Sequence, residues 1–166
     1  MFILKPLSFT TLAVLFALIF IGGYVGASGV GLTCPEWPLC PRGLLPHEDF
    51  VIEYIHRSVA ATTGMLVIAT MAFTLKSKDA LRGMKIASII AAGAVIGQIA
   101  LGAIVIVERL HAVLVTAHLG LGLVLFSMVL IIVLSAFRID NNKRMKTREA
   151  SSKLSTRNNK TTSPKS

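Results

Sequence analysis

Four long apolar runs set the strongest limit on what this chain can fold into. They cover Leu7 to Val30, Val51 to Leu75, Ile86 to Val107 and Ala112 to Phe137. Each exceeds the ~20 residues that an α-helix needs to cross a ~30 Å hydrocarbon layer. Spans this long and uniform do not suit a soluble core, whose helices keep a polar face toward water. The 54% hydrophobic content and mean hydropathy of +0.72 agree. Gly26-Ala27-Ser28 has the small residues of a signal-peptide cleavage region. The run before it is longer than a ~7–15-residue signal core, so it counts as a retained helix. The expected architecture is an all-α integral membrane protein. A four-helix transmembrane bundle fills residues 1–137, with one long loop at 31–50 and a separate tail at 138–166.

Charge gives the bundle a direction. Lys5 precedes the first span, Lys76, Lys78, Arg82 and Lys85 crowd the turn between the second and third, and the tail carries nine basic residues against two acidic. The positive-inside rule puts these segments in the cytoplasm, so both termini are expected inside and the 31–50 loop outside. Most of the formal charge of +9 is then topology. The tail, rich in Ser, Thr, Asn and Lys, is expected to be disordered beside the anionic inner leaflet, with membrane lipid as its partner. Nucleic acid is not expected, because no aromatic residue interleaves the basic ones.

Two histidines inside the oily runs carry the chemistry. His56 lies twenty positions before Lys76, and His118 lies twenty before Arg138. At ~1.5 Å per residue both imidazoles stand roughly 30 Å from the same boundary. Two imidazoles at one depth in a bundle are what axial ligation of a haem iron requires. Taken singly, each has a plainer alternative: a histidine bonded to a neighbouring helix, or one snorkelling to the interface. Glu53, three residues before His56, shares its helix face and is a candidate to orient an imidazole or accept protons. Arg57 has the planar fork that suits a haem propionate. His111, two turns before His118, is a candidate to cover a ligand's polar edge, with a solvated turn residue as the alternative. His47 reads as solvated.

Cys34 and Cys40 both fall in the external loop, where an oxidising compartment permits a disulfide. The intervening Pro35 and Pro38 stiffen a short segment and hold its ends near bonding distance. A structural clip and a redox-active pair both fit. Two thiols fall short of the four ligands of a zinc site.

Gly22 with Gly26, and Gly93 with Gly97, have the spacing of close helix packing. Gln98 needs a buried hydrogen-bond partner within the third span. The order of segments also suggests a duplication. Gly22-Gly23-Tyr24-Val25 precedes the helix of His56, and Gly102-Ala103-Ile104-Val105 precedes the helix of His118. Two helical hairpins related by an axis along the membrane normal bring those histidines face to face.

The segments Gly22-Gly23-Tyr24-Val25, Gly31 to Cys40, and Glu53-Tyr54-Ile55-His56-Arg57 together resemble the haem A synthase family. Gly102 to Val105 and Ala117-His118-Leu119 are similar to its fourth-helix region. The likeness covers about residues 8 to 137 and leaves the tail outside. It implies a membrane oxidoreductase that converts the C8 methyl of haem O to the formyl group of haem A, for terminal oxidases. It further implies His56 and His118 as paired axial ligands to haem iron, Glu53 as the carboxylate of the oxidation, and Cys34 and Cys40 as the external loop pair. The usual member has eight spans in two four-helix halves, one for substrate haem and one for a haem b. This chain resembles a half-length form, which implies a homo-oligomer or one site serving both roles. A haem O synthase and an electron acceptor are the further partners implied, and the plasma membrane of a prokaryote is the implied location. A bis-histidine haem b electron carrier, and a thiol oxidoreductase using Cys34 and Cys40, are the competing readings.

Overall fold

The computed structural model describes residues 3–28, 30–32 and 51–162, the last eight of these by backbone alone. Its elements are α1 (Leu4–Ser28), a short 3-10 turn (Val30–Leu32), α2 (Val51–Lys76), α3 (Arg82–Val107) and α4 (Ala112–Thr162). All four α-helices are long and apolar enough to cross a membrane. Each packs on its chain neighbour, and α4 closes the bundle on α1. One end carries Lys5, Lys76 and Arg82 and is here the basic end; the opposite end carries His56 and His118 and is the site end.

Packing, rather than water exclusion, holds helices together in a lipid-like setting. Leu15, Val67, Ala91, Ala94, Val95, Leu125 and Val129 meet at mid-bundle, and Leu4, Met84, Ala87, Ile132 and Ala136 meet at the basic end. Alanines on α3 let its neighbours approach closely. Thr11 and Thr70 bond across α1 and α2 at 2.9 Å. Thr11 gives its one hydroxyl proton to the Leu7 carbonyl, so Thr70 is the donor between the helices. Such a bond contributes about 0.6 kcal/mol in membrane proteins.

The duplication reaches further than the glycine and histidine segments that suggested it. Leu4 and Met84, Ser8 and Ser88, Leu15 and Val95, Val25 and Val105 are all buried, each pair eighty positions apart. Ser8 bonds the carbonyl of Lys5 and Ser88 that of Lys85, the same local contact in both hairpins. On α2 and α4, Thr63 and Leu125, Val67 and Val129, Thr70 and Ile132, Thr74 and Ala136 are buried in pairs sixty-two positions apart. A sequence scan for identical residues misses this repeat, because burial conserves a face and a size while Thr replaces Leu or Ile.

The α3–α4 connection is tight. Arg109 N–H bonds Ile106 O at 3.1 Å and Leu110 N–H bonds Val105 O at 2.8 Å. This is the paired-bond helix stop usually built on glycine. Here Arg109 and Leu110 hold φ of 49° and 62°, a conformation costing L-residues about 1 kcal/mol or more each.

At the basic end the structure corrects one expectation. Residues 138–162 continue α4 as helix, where a disordered tail was expected from Arg138. The run contains no Gly or Pro, and its Lys, Arg, Glu, Met and Ala are good helix formers. Ion pairs also tie its first turns to the bundle. Lys5 meets Asp140 at 2.6 Å, Lys143 meets Asp79 at 2.6 Å, and Arg144 meets Asp140 at 3.1 Å one turn on. The bond from Lys143 holds the Asp79 carboxyl below the ordinary carboxylate range, and that from Lys5 does the same for Asp140.

Candidate functional site

Each histidine rests on a glycine of the preceding helix. A Cβ placed at Gly22 of α1 would stand 3.0 Å from Cε1 and 3.5 Å from Nδ1 of His56 on α2. A Cβ at Gly102 of α3 would stand 3.3 Å from Cε1 and 3.9 Å from Nδ1 of His118 on α4. The Nδ1–Cε1 edge of each ring therefore lies against bare backbone, with Nε2 further off, 3.9 Å and 4.0 Å from those positions. The two hairpins repeat one device, glycine against imidazole, and the two imidazoles come within electrostatic reach of each other.

Both Nδ1 atoms are buried and lack a hydrogen-bond partner. An unpaired buried nitrogen costs about 1–3 kcal/mol, twice over here. This arrangement does not match histidines kept for a bond to the next helix, since at Nδ1 neither makes one. Two imidazoles are too few for a bare ion, but they suffice for an iron whose four in-plane donors come from a porphyrin. The glycine cradle backs the Nδ1–Cε1 edge of each ring and leaves Nε2 further from the backbone, so Nε2 is the atom that would meet a haem iron between α2 and α4.

The chemistry around the two histidines differs. On α2, Arg57 Nη2 donates to Glu53 Oε1 at 2.6 Å. This is an i, i+4 pair whose side chains are 14% and 3% exposed. Glu53 is turned inward. It does not bond His56 Nδ1. The positions sixty-two further on are Val115 and Leu119, so this buried ion pair has no counterpart beside His118.

On the other side, Gln98 Nε2 of α3 donates to the backbone carbonyl of His118 at 2.8 Å. Gly122 makes that approach possible, because a Cβ there would stand 2.8 Å from the same Nε2. Sequence reasoning flagged Gln98 as needing a partner but did not find it. The available signal was Gly122, four residues after His118, where a missing side chain uncovers the carbonyl one turn back. The expected glycine spacings divide: Gly22 and Gly97 meet side chains, whereas Gly26 and Gly93 face open space.

His111 is exposed in the turn that starts α4, and its N–H bonds Glu108 O at 3.2 Å. Cys34, Cys40 and His47 lie outside the described residues. A hollow of about 450 Å³ is lined by Ala112, Val113, Thr116 and Ala117. At 100° per residue it opens on the face of α4 opposite His118, so it is not this site.

The family model described as cytochrome oxidase assembly protein, COX15-CtaA, matches residues 46–159. The heme A synthase of Bacillus licheniformis is 34% identical over 138 residues, covering 81% of this chain and 45% of that protein. The heme A synthase of an Exiguobacterium species is 31% identical over 150 residues, covering 88% and 50%. That of Staphylococcus aureus strain JH9 is 31% identical over 123 residues, covering 72% and 41%. The chain spans about half the length of the curated relatives it matches.

Proposed function

The chain belongs to the haem A synthase family of cytochrome oxidase assembly proteins, and from that premise we propose that it oxidises the C8 methyl of haem O to the formyl group of haem A. The observation that supports this most is the pair of half-buried imidazoles, each backed by its own glycine along the Nδ1–Cε1 edge with Nε2 further off. In this reading His56 and His118 hold haem iron, which supplies the redox chemistry when bound. The chain's own residues do the rest. Gly22 and Gly102 set the imidazole positions, and the apolar bundle keeps water out. Glu53 is the proton acceptor one turn from His56. Arg57 holds that carboxylate, and its planar fork suits a haem propionate.

With water as the oxygen source, a methyl becomes a formyl group by losing four electrons and four protons. The reading therefore includes an electron acceptor in the membrane and a haem O synthase that delivers substrate. It places the basic end in the cytoplasm and the site end outside, in a prokaryotic plasma membrane. It extends to self-association, because the described helices supply one imidazole pair; the mass of the haem-loaded protein in detergent tests that directly.

Co-expression with a haem O source, followed by extraction and chromatography of the haems, tests the activity. Formyl haem is expected from the wild type and not from His118→Ala, while Glu53→Ala retains haem O without converting it. Unaltered haem O in the wild-type sample, beside a reversible bis-histidine spectrum, points instead to an electron carrier.

A further inference from the structure

The two histidines sit in a repeat, yet among the described residues only His118 has a neighbouring helix bonded to its backbone. Gln98 Nε2 reaches from α3 to the carbonyl of His118 at 2.8 Å. That carbonyl belongs to a helix and already has its ordinary helical acceptor role toward residue 122, so Gln98 adds a second donor to it. Gly122 carries no Cβ, and any Cβ there would collide with the amide at 2.8 Å. In the first hairpin the position equivalent to Gln98 is Leu18, and that equivalent to Gly122 is Ala60. The donor and the gap that admits it are both particular to the second hairpin.

We propose that Gln98 is a positioning residue for His118, locking the turn that presents its imidazole to haem, so that the two axial ligands are held with unequal rigidity. This rests on the haem reading above. The bond fixes the rotation and height of the α4 turn at the residue whose ring must point inward. An apolar side chain at 98 still packs in the bundle, but it leaves that turn located by van der Waals contact alone. Gln98 Oε1, buried and unpartnered, shows that the amide is not kept at this depth by a full set of structural bonds. Its one bond goes to the histidine turn.

The test uses the whole chain in detergent, loaded with haem. The readouts are low-spin g-values by electron paramagnetic resonance and the rate of haem transfer to apomyoglobin. Gln98→Leu is expected to shift the g-values and to speed haem loss between about three-fold and about fifteen-fold, the range for one interhelical bond in a membrane protein. Gln98→Glu, protonated at that depth, donates to the same carbonyl and is expected to restore both readouts. Gly122→Ala should reproduce Gln98→Leu on its own and add nothing when combined with it. If Gln98→Leu and Gly122→Ala keep wild-type g-values and haem retention while His118→Ala loses haem, the positioning role is overturned and the haem reading stands. If the wild type takes up no haem at all, both fall together.

Discussion

Substituting alanine for one glycine, Gly22, is the most discriminating perturbation the structure offers. The new Cβ would stand 3.0 Å from His56 Cε1, whereas carbon atoms settle at about 3.5–4.0 Å. The ring must therefore retreat by at least about 0.5 Å, the limit within which a functional site holds its geometry. At Gly102 the corresponding distance to His118 Cε1 is 3.3 Å, and the required retreat is only about 0.2 Å. Gly23 and Gly26 have nothing within 4 Å of a new Cβ and serve as controls on the same helix. Overpacking costs about 1–3 kcal/mol, and in the haem-free protein the better helix propensity of alanine offsets about 1 kcal/mol of it. Thermal stability without haem is expected to fall little. Haem affinity, measured by titration with the Soret band as readout, is expected to fall about ten-fold or more for Gly22→Ala. For Gly102→Ala the loss should stay below about five-fold, and Gly23→Ala and Gly26→Ala should match the wild type. Equal losses at Gly22 and Gly26, or a larger loss at Gly102 than at Gly22, would refute the claim that glycine sets the imidazole position.

The buried ion pair and the basic end give two further predictions. Arg57→Ala removes one charged partner of a carboxylate that is 3% exposed and should lower unfolding stability by about 1–3 kcal/mol; the Glu53→Gln, Arg57→Met double variant should regain part of that while giving no formyl haem. The carboxyls of Asp79 and Asp140 lie below their ordinary value of 3.8 because Lys143 and Lys5 bond them. Their stabilisation is complete above that pH and lost as pH falls through the lower folded-state values. Amide exchange in α4 beyond Arg138 should rise only in that acid window, and Asp140→Asn should abolish the dependence on the Lys5 contact.

How much could be read from the chain follows from what physical signal each feature leaves. Membrane helices announce themselves by length and apolarity, so the starts of α2 and α4 and the end of α3 agree with the sequence reading. The end of α4 does not, because charge signals the edge of a hydrocarbon layer and says little about where helix stops. Lysine and arginine favour helix once a preceding turn exists. That His56 and His118 sit toward the same end of the bundle was legible from their equal distance to a basic boundary. Their glycine contacts were not, since GxxxG spacing marks Gly22 and Gly26 alike and only one faces a ring. Arg57 pairing with Glu53 follows the i, i+4 rule, but the sequence does not say whether a membrane arginine turns inward to its own helix or outward to a ligand. The differentiation of the two hairpins, ion pair at one histidine and amide at the other, needed the repeat to be aligned by burial.

Ligation of haem iron by the two histidines is tested most directly by electron paramagnetic resonance and optical spectra of the haem-loaded protein beside His56→Ala and His118→Ala. The account predicts one six-coordinate low-spin haem per bundle in the wild type. It also predicts loss of that signal in each single variant, and its partial return when free imidazole is added. A wild-type low-spin spectrum retained by either alanine variant contradicts it.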